Sequence, residues 1–423
     1  MPYGVGAGGD AGIAFEDLAE PVQSALSTAT TGGTITAGTY HYAVTAINAV
    51  GETLISNEQT IVTTGSTSTV TVTWVAVTGA TGYNLYKTAA GGAVGTELKY
   101  KTVGLVTTDI DTSPGSPVGA IPATNSALTP GTYTAPTKFI PFLSESVKYM
   151  QETVWRRPIR QTADITGASP GNVHIEGDLE LEVLEDVILY FLYCARTTCV
   201  KSGTSPNFIY TFTPTSAAIP PRTFSLTIER TAGVVFGYTG CVVSSLKFGV
   251  NNGLLTCTVS IIGRDEASAA TPTPVWPTSN VFGAGTYSIE IPTATPVFDT
   301  DVFEFTVDDQ AVPDFRLKNT GRGAQLVHYG ERNCTTHFER DFVDRTDYDG
   351  FKAYTSQGLT ITASKGINNL VTLSVQQAIK DTYEVNLSGQ GDLVRAQINY
   401  QNTPNLGATQ AYSIVVKTQE NIS

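Results

Sequence analysis

Residues 242–263, VVSSLKFGVNNGLLTCTVSIIG, restrict the fold more than any other stretch of this chain. Two runs of alternating side chains flank Asn251-Asn252-Gly253. Asn-Gly accepts the positive φ angles of a tight reversal, and a period of two marks a half-buried strand. The stretch therefore predicts a β-hairpin. A second hairpin is predicted over residues 356–377, and further strands over 223–230 (TFSLTIER), 302–310 (VFEFTVDDQ) and 383–391 (YEVNLSGQG). One segment carries helical spacing. Residues 178–197, DLELEVLEDVILYFLYCART, begin as a strand and then place Val187, Tyr190, Phe191 and Cys194 on one helical face, which core packing explains. Glu185 and Asp186 fall in its first turn, where negative charge suits the helix dipole.

The rest of the chain agrees with a mainly β protein. Gly (40) and Pro (21) are plentiful and charged residues make up only 15%, as many short strands joined by turns require. With 423 residues there is room for two or three domains. No apolar run is long enough to span a bilayer, and the opening MPYGVGAGGDAG lacks the regions of a signal peptide, so a product made in a cytoplasm is expected. The net charge of −13 excludes DNA binding through a broad basic face, since neutralising phosphates takes clustered Lys and Arg. It allows a passage along which DNA slides without sticking, although ordinary solubility explains acidity equally well.

Little in the sequence points to chemistry. Gly4, Gly6, Gly8 and Gly9 follow no strand and open no βαβ unit, so they read as an arm and not as a nucleotide loop. The five cysteines are scattered and read as small buried hydrophobes. Cys334 and His337, with His328 nearby, have a ligand-like spacing, and Asp341, Asp344, Asp347 and Asp349 cluster. Neither set matches a complete metal motif, the aspartates lacking the terminal Glu of an EF-hand loop. No nucleophile motif is present. No cofactor, metal or enzymatic activity is expected. Arg156, Arg157 and Arg160 form one basic cluster, for which an ion pair across a subunit interface is favoured over a solvated loop or a DNA contact.

Composition sets off residues 1–21, a middle block from about Ser24 to Thr134 and the remainder, and the domains expected with the resemblance given below are 1–21, 22–133 and 134–423. Thr, Gly, Ala and Val dominate the middle block, and SALSTATTGG and SPVGAIPATNSALTPGTYT flank it as linkers. Its alternating segments, with turns about every ten residues, predict a β-sandwich. The block resembles a fibronectin type III or immunoglobulin-like domain. Trp74 matches the core tryptophan, Tyr83 and Tyr86 the strand after it, and YAVTAINAVGE, with Tyr40 and Tyr42 in its segment, the late strand. Those five aromatics are its expected core. Here the late strand precedes the tryptophan strand, which implies permuted or altered topology.

The flanking blocks resemble siphophage-type tail tube (major tail) proteins. MPYGVGAGGDAGIAFEDLAEP is similar to their N-terminal arm, which in that family runs almost directly into a segment like TAPTKFIPFLSESVKYMQETV, found here at residues 134–154. GNVHIEGDLELEVLEDVILYFLY, the central hairpin and THFERDFVDRTDYDGFKAYTSQGLTITASKG follow in the family's order. The middle block then looks like an insertion. The resemblance implies an all-β fold with one flanking helix, a sandwich or barrel-like core, and self-assembly into stacked, usually hexameric rings. The tube encloses a tape-measure protein, meets tail terminator and distal tail proteins, and later conducts DNA without binding it specifically. The protein would then reside in the virion, with no membrane contact and the inserted domain outside. Interface residues are expected at Arg156, Arg157 and Arg160 and on the central hairpin at Leu246, Phe248, Asn252 and Gly253. The rival reading is a virion adhesin whose immunoglobulin-like domain binds host glycans.

Overall fold

A computed structural model describes residues 9–65, 69–113, 115, 118–123, 125–157, 164–165, 167–204, 206–218, 222–279, 281–283, 285–316, 321–386, 393–404 and 410–422. The chain divides into two compact units, Met1–Phe15 with Gly131–Asn421, and Glu16–Pro130 with Ile422–Ser423. The glycine arm at residues 1–8 and Arg160 lie outside the described residues.

After β1 (Asp10–Phe15) of the first unit, the second unit holds β2 (Ser27–Ala29), β3 (Gly38–Ile47), β4 (Gln59–Thr63), β5 (Thr69–Thr73), β6 (Gly82–Lys87), β7 (Leu98–Val103) and β8 (Thr108–Asp111). They form two sheets, β2-β5-β8 and β4-β3-β6-β7. Tyr40, Tyr42, Val44 and Ala46 of β3 share one core with Val70, Val72, Trp74, Tyr83 and Leu85. Tyr86 is buried as well, but apart from that cluster. Three residues beyond Tyr83 on a strand, it falls on the opposite face, where it is buried and its hydroxyl donates to Glu52 Oε1 at 2.6 Å. The two stretches read as linkers are also ordered in part. The first supplies β2, and in the second Ala127 is fully buried and its carbonyl accepts from Leu18 N–H at 2.7 Å. Backbone partners in neighbouring strands hold them, which composition does not reveal.

The first unit resumes with β9 (Lys138–Ile140), β10 (Phe142–Glu145), β11 (Lys148–Arg156), β12 (Gly167–Glu182) and α1 (Glu185–Tyr193). Next come β13 (Thr197–Thr204), β14 (Asn207–Pro214), β15 (Phe224–Thr231), β16 (Val234–Asn251), β17 (Leu254–Gly263) and β18 (Asp265–Ala267). Then follow β19 (Tyr287–Glu290), β20 (Pro296–Val297), β21 (Thr300–Asp308), β22 (Val312–Asp314), β23 (Leu326–His328) and β24 (Asn333–Asp341). A second helix, α2 (Thr346–Lys352), precedes β25 (Ser356–Ser364), β26 (Leu370–Asn386), β27 (Arg395–Thr403) and β28 (Tyr412–Thr418).

Both predicted hairpins form. β16 and β17 pair with Leu246 opposite Val259, and the turn sets Asn252 at φ 50° and Gly253 at φ 78°. β25 and β26 pair with Ile361 opposite Leu373. β16 starts well before the alternating run because it serves two sheets. Its first half pairs with β15 and β18, and its second half with β17 and β21. Helix α1 is buried nearly all round, including Ile188, Leu189 and Leu192, and not on one stripe. Buried Glu185 in its first turn accepts from Lys365 Nζ and Asn369 Nδ2, both at 2.7 Å. The single expected helix is thus joined by α2, which buries no residue and so leaves no apolar period to read.

Candidate assembly surface

Seven strands of the first unit lie side by side in the order β12-β17-β16-β21-β24-β27-β26, all antiparallel. Strict alternation gives this sheet two unlike faces. Leu179, Leu181, Cys257, Val259, Leu246, Phe248, Phe305, Phe338, Ile398 and Tyr400 are buried on one of them. The other carries Thr, Ser, Asn, Gln and carboxylates. One row across it reads Glu180, Thr258, Lys247, Thr306, Thr335 and Gln401, each residue paired with the next. Asp178, Glu182, Glu304, Asp308, Glu339 and Glu384 sit on the same face, and at the outward positions of these strands they outnumber the cations Lys247 and Arg395. Lys247 is itself held by Glu304 at 2.9 Å, and Arg395 pairs with Asp301.

The ladders do not return to their starting strand within the described residues, so the sheet stays open. At one end, β26 beyond Lys380 pairs, among the described residues, only with β27. At the other, β12 pairs with β10 and then with β11. Past Gln151 these last two strands leave the body as a ribbon, in which Thr153 to Arg156 pair with Pro170 to Gly167. Val154 and Trp155 are exposed there, and so are Arg156 and Arg157. Unpaired strand edges and an exposed tryptophan are costly in a lone subunit and are satisfied by a partner.

The residues singled out in the sequence are distributed unevenly over this surface. Arg156 and Arg157 mark the ribbon, and Asn252 and Gly253 the tip of the central hairpin. Leu246 and Phe248 do not reach it. They are 3% and 0% exposed, and Phe248 packs against Phe305 inside the subunit. They sit one position from the polar face, and alternation alone does not say which face of a strand meets the core. Reading the outward phase of all seven strands together would have found the carboxylate-bearing face.

The suspected ligand clusters are used internally. Cys334 points into the core, and burial pushes its thiol up to about 12. His337, three residues on, faces the other way and bonds Asn399 Oδ1 at 2.7 Å. His328 lies 3.2 Å from Asp314. Asp344 accepts from Thr346 N–H at the start of α2, Asp347 pairs with Arg340 and Lys380, and Asp349 with Arg345. Among the described residues no group of three His, Cys, Asp or Glu side chains is arranged to hold a metal. No helix there is long and apolar enough to cross a membrane.

No curated protein matches this sequence. The family model described as phage tail tube protein matches residues 126–402. That span takes in all seven strands of the two-faced sheet, and the chain belongs to the phage tail tube protein family.

Proposed function

We propose that this structural tail protein closes into rings, six-membered by resemblance, which stack into the conduit of a long-tailed phage. The carrying observation is the open seven-stranded sheet with one polar, carboxylate-bearing face. In a ring, the unpaired edge of β26 in one subunit meets the β10/β11 side of the next, so the sheets join into one continuous wall. The polar face lines the lumen. Small hydroxyl and amide side chains keep it smooth, and Asp178, Glu180, Glu304 and their neighbours repel phosphate, so DNA passes without lodging. The ribbon bearing Trp155, Arg156 and Arg157 reaches an adjoining subunit. A tape-measure protein fills the lumen before DNA, and terminator and distal tail proteins cap the ends.

The unit Glu16–Pro130 is read as an insertion of immunoglobulin or fibronectin type III kind on the tube exterior. The ladder at its base supports this. Ala11, Gly12 and Ile13 of β1 pair with Ile140, Phe139 and Lys138 of β9, so the chain leaves and returns at adjacent rungs, as a tolerated insertion requires.

Thiol labelling tests the lumen assignment. Cys199 is replaced by Ser, the other four cysteines being buried, and exposed Gln397 by Cys. The new thiol reacts with a polymer-linked maleimide in the free subunit. In assembled tubes it is expected to refuse that reagent while accepting a small one. Tubes whose Gln397→Cys thiols still take the polymer would refute a luminal face.

A further inference from the structure

Inside the unit Glu16–Pro130 a lysine and an aspartate meet between the two sheets. Lys87 ends β6 and pairs in register with Tyr42, and Asp111 ends β8 and pairs with Val70. Tyr42 and Val70 are core residues, and partners directly across a ladder share a face, so both charged side chains point inward. They are 1% and 4% exposed, with Lys87 Nζ 2.7 Å from Asp111 Oδ2. The Tyr42 hydroxyl donates to the same Oδ2 at 2.8 Å. Nζ also donates to the Ser113 carbonyl at 2.6 Å, and the Tyr100 ring covers it with its centroid 4.8 Å away. Asp109 is on the same face of β8, and its Oδ2 is buried without a hydrogen-bond partner.

Charges held out of water are costly, and moving one proton from Nζ to the carboxylate, where it settles on Oδ1, gives a free amine against a carboxylic acid. Those are the two reactants of an amide. Held at hydrogen-bond distance and shielded from water, they need no encounter, so the fixed geometry replaces most of the entropic barrier. We propose that this unit locks itself covalently through an amide between Lys87 Nζ and Asp111 Cγ. Nζ attacks Cγ, and the Tyr42 hydroxyl supports the oxygen on which charge collects. Burial first, and the Asp111 charge second, hold that hydroxyl far above its ordinary pKa, so it keeps the proton it donates. A nitrogen proton passes, by way of the open Asp109 oxygen, to the departing Oδ1, while Tyr42 stays on Oδ2, which becomes the amide oxygen. The Cγ–O bond breaks and water leaves. One ammonium and one carboxylate thus become one amide and one water, with no oxidant, cofactor or second substrate. The bond ties β6 of one sheet to β8 of the other.

Mass spectrometry of the purified full-length chain decides the matter. The intact mass is expected to fall one water short of the sequence mass, and a digest should yield the Lys87 and Asp111 peptides joined. Lys87→Arg, which keeps the charge but stays protonated, should restore the full mass. Recovery of the wild-type chain at full mass with the two peptides separate overturns the proposal. So does a water deficit that persists in Lys87→Arg, since the loss then lies elsewhere. The wild-type measurement stands even if the variant fails to fold.

Discussion

At the residue scale, Asn252 and Gly253 show how directly a local rule fixes a global feature. Their positive φ angles turn β16 into β17, and a Cβ at Gly253 would be strained there. Gly253→Ala should cost about 1 kcal/mol in chemical denaturation, with the fold retained. Glu97 makes a pH-dependent contribution. Burial first, and the neighbouring Glu58 carboxyl second, hold its carboxyl above the ordinary 4.5, and His41 lies 3.0 Å from Glu58 on the other side. A folded state that binds this proton more tightly than the unfolded chain gains stability fully present below pH 4.5. The gain is lost as pH rises through the raised value. Glu97→Gln should therefore flatten the rise in melting temperature on moving from neutral pH toward 4.5, and matching slopes in variant and wild type would contradict this reading.

Among elements, the hairpins were legible because each joins clean alternation to a turn that accepts positive φ. The first half of β16 was not, because burial on both faces removes the alternation. The run 223–230 was legible as a strand and is β15, although it is buried from Phe224 to Glu229 on both sides. Leu246 and Phe248 illustrate a second limit: period two separates two faces without naming which is wet. Trp155 and the two arginines beside it carry the opposite lesson, since a tryptophan exposed on a two-stranded ribbon is costly in a lone subunit, and the proposed function gives it a partner. Arg156→Glu with Arg157→Glu should leave the unfolding free energy of the free subunit within about 0.5 kcal/mol of wild type. Assembly into tubes, followed by negative-stain microscopy, should fail. Normal tubes from that double variant would place the ribbon outside the assembly contacts.

For the whole molecule, the family match over residues 126–402 falls almost wholly within the unit Met1–Phe15 with Gly131–Asn421. The order of motifs in the sequence made the family legible. The residues of the polar, carboxylate-bearing face were not, because they are spread over strands from residue 178 to residue 384 and converge only through pairing. A chain in which residues 16–130 are replaced by a short Gly-Asn turn should still form tubes, of the same inner diameter and reduced outer diameter, when imaged by electron microscopy. Loss of all assembly with a folded subunit would tie the excised unit to the tube itself.

The adjacent rungs of β1 and β9 carry a consequence for how such chains diversify. Neighbouring strands stand about 4.8 Å apart, and Ile13 and Lys138 directly oppose one another at the foot of the excursion. Any autonomous domain whose two ends are that close is a compatible passenger at this socket, and swapping one for another leaves every rung of the host sheet in place. On the reading proposed above, a lineage could exchange what its particle displays to the outside world while conserving the bore, and an engineer could do the same with a cargo of choice.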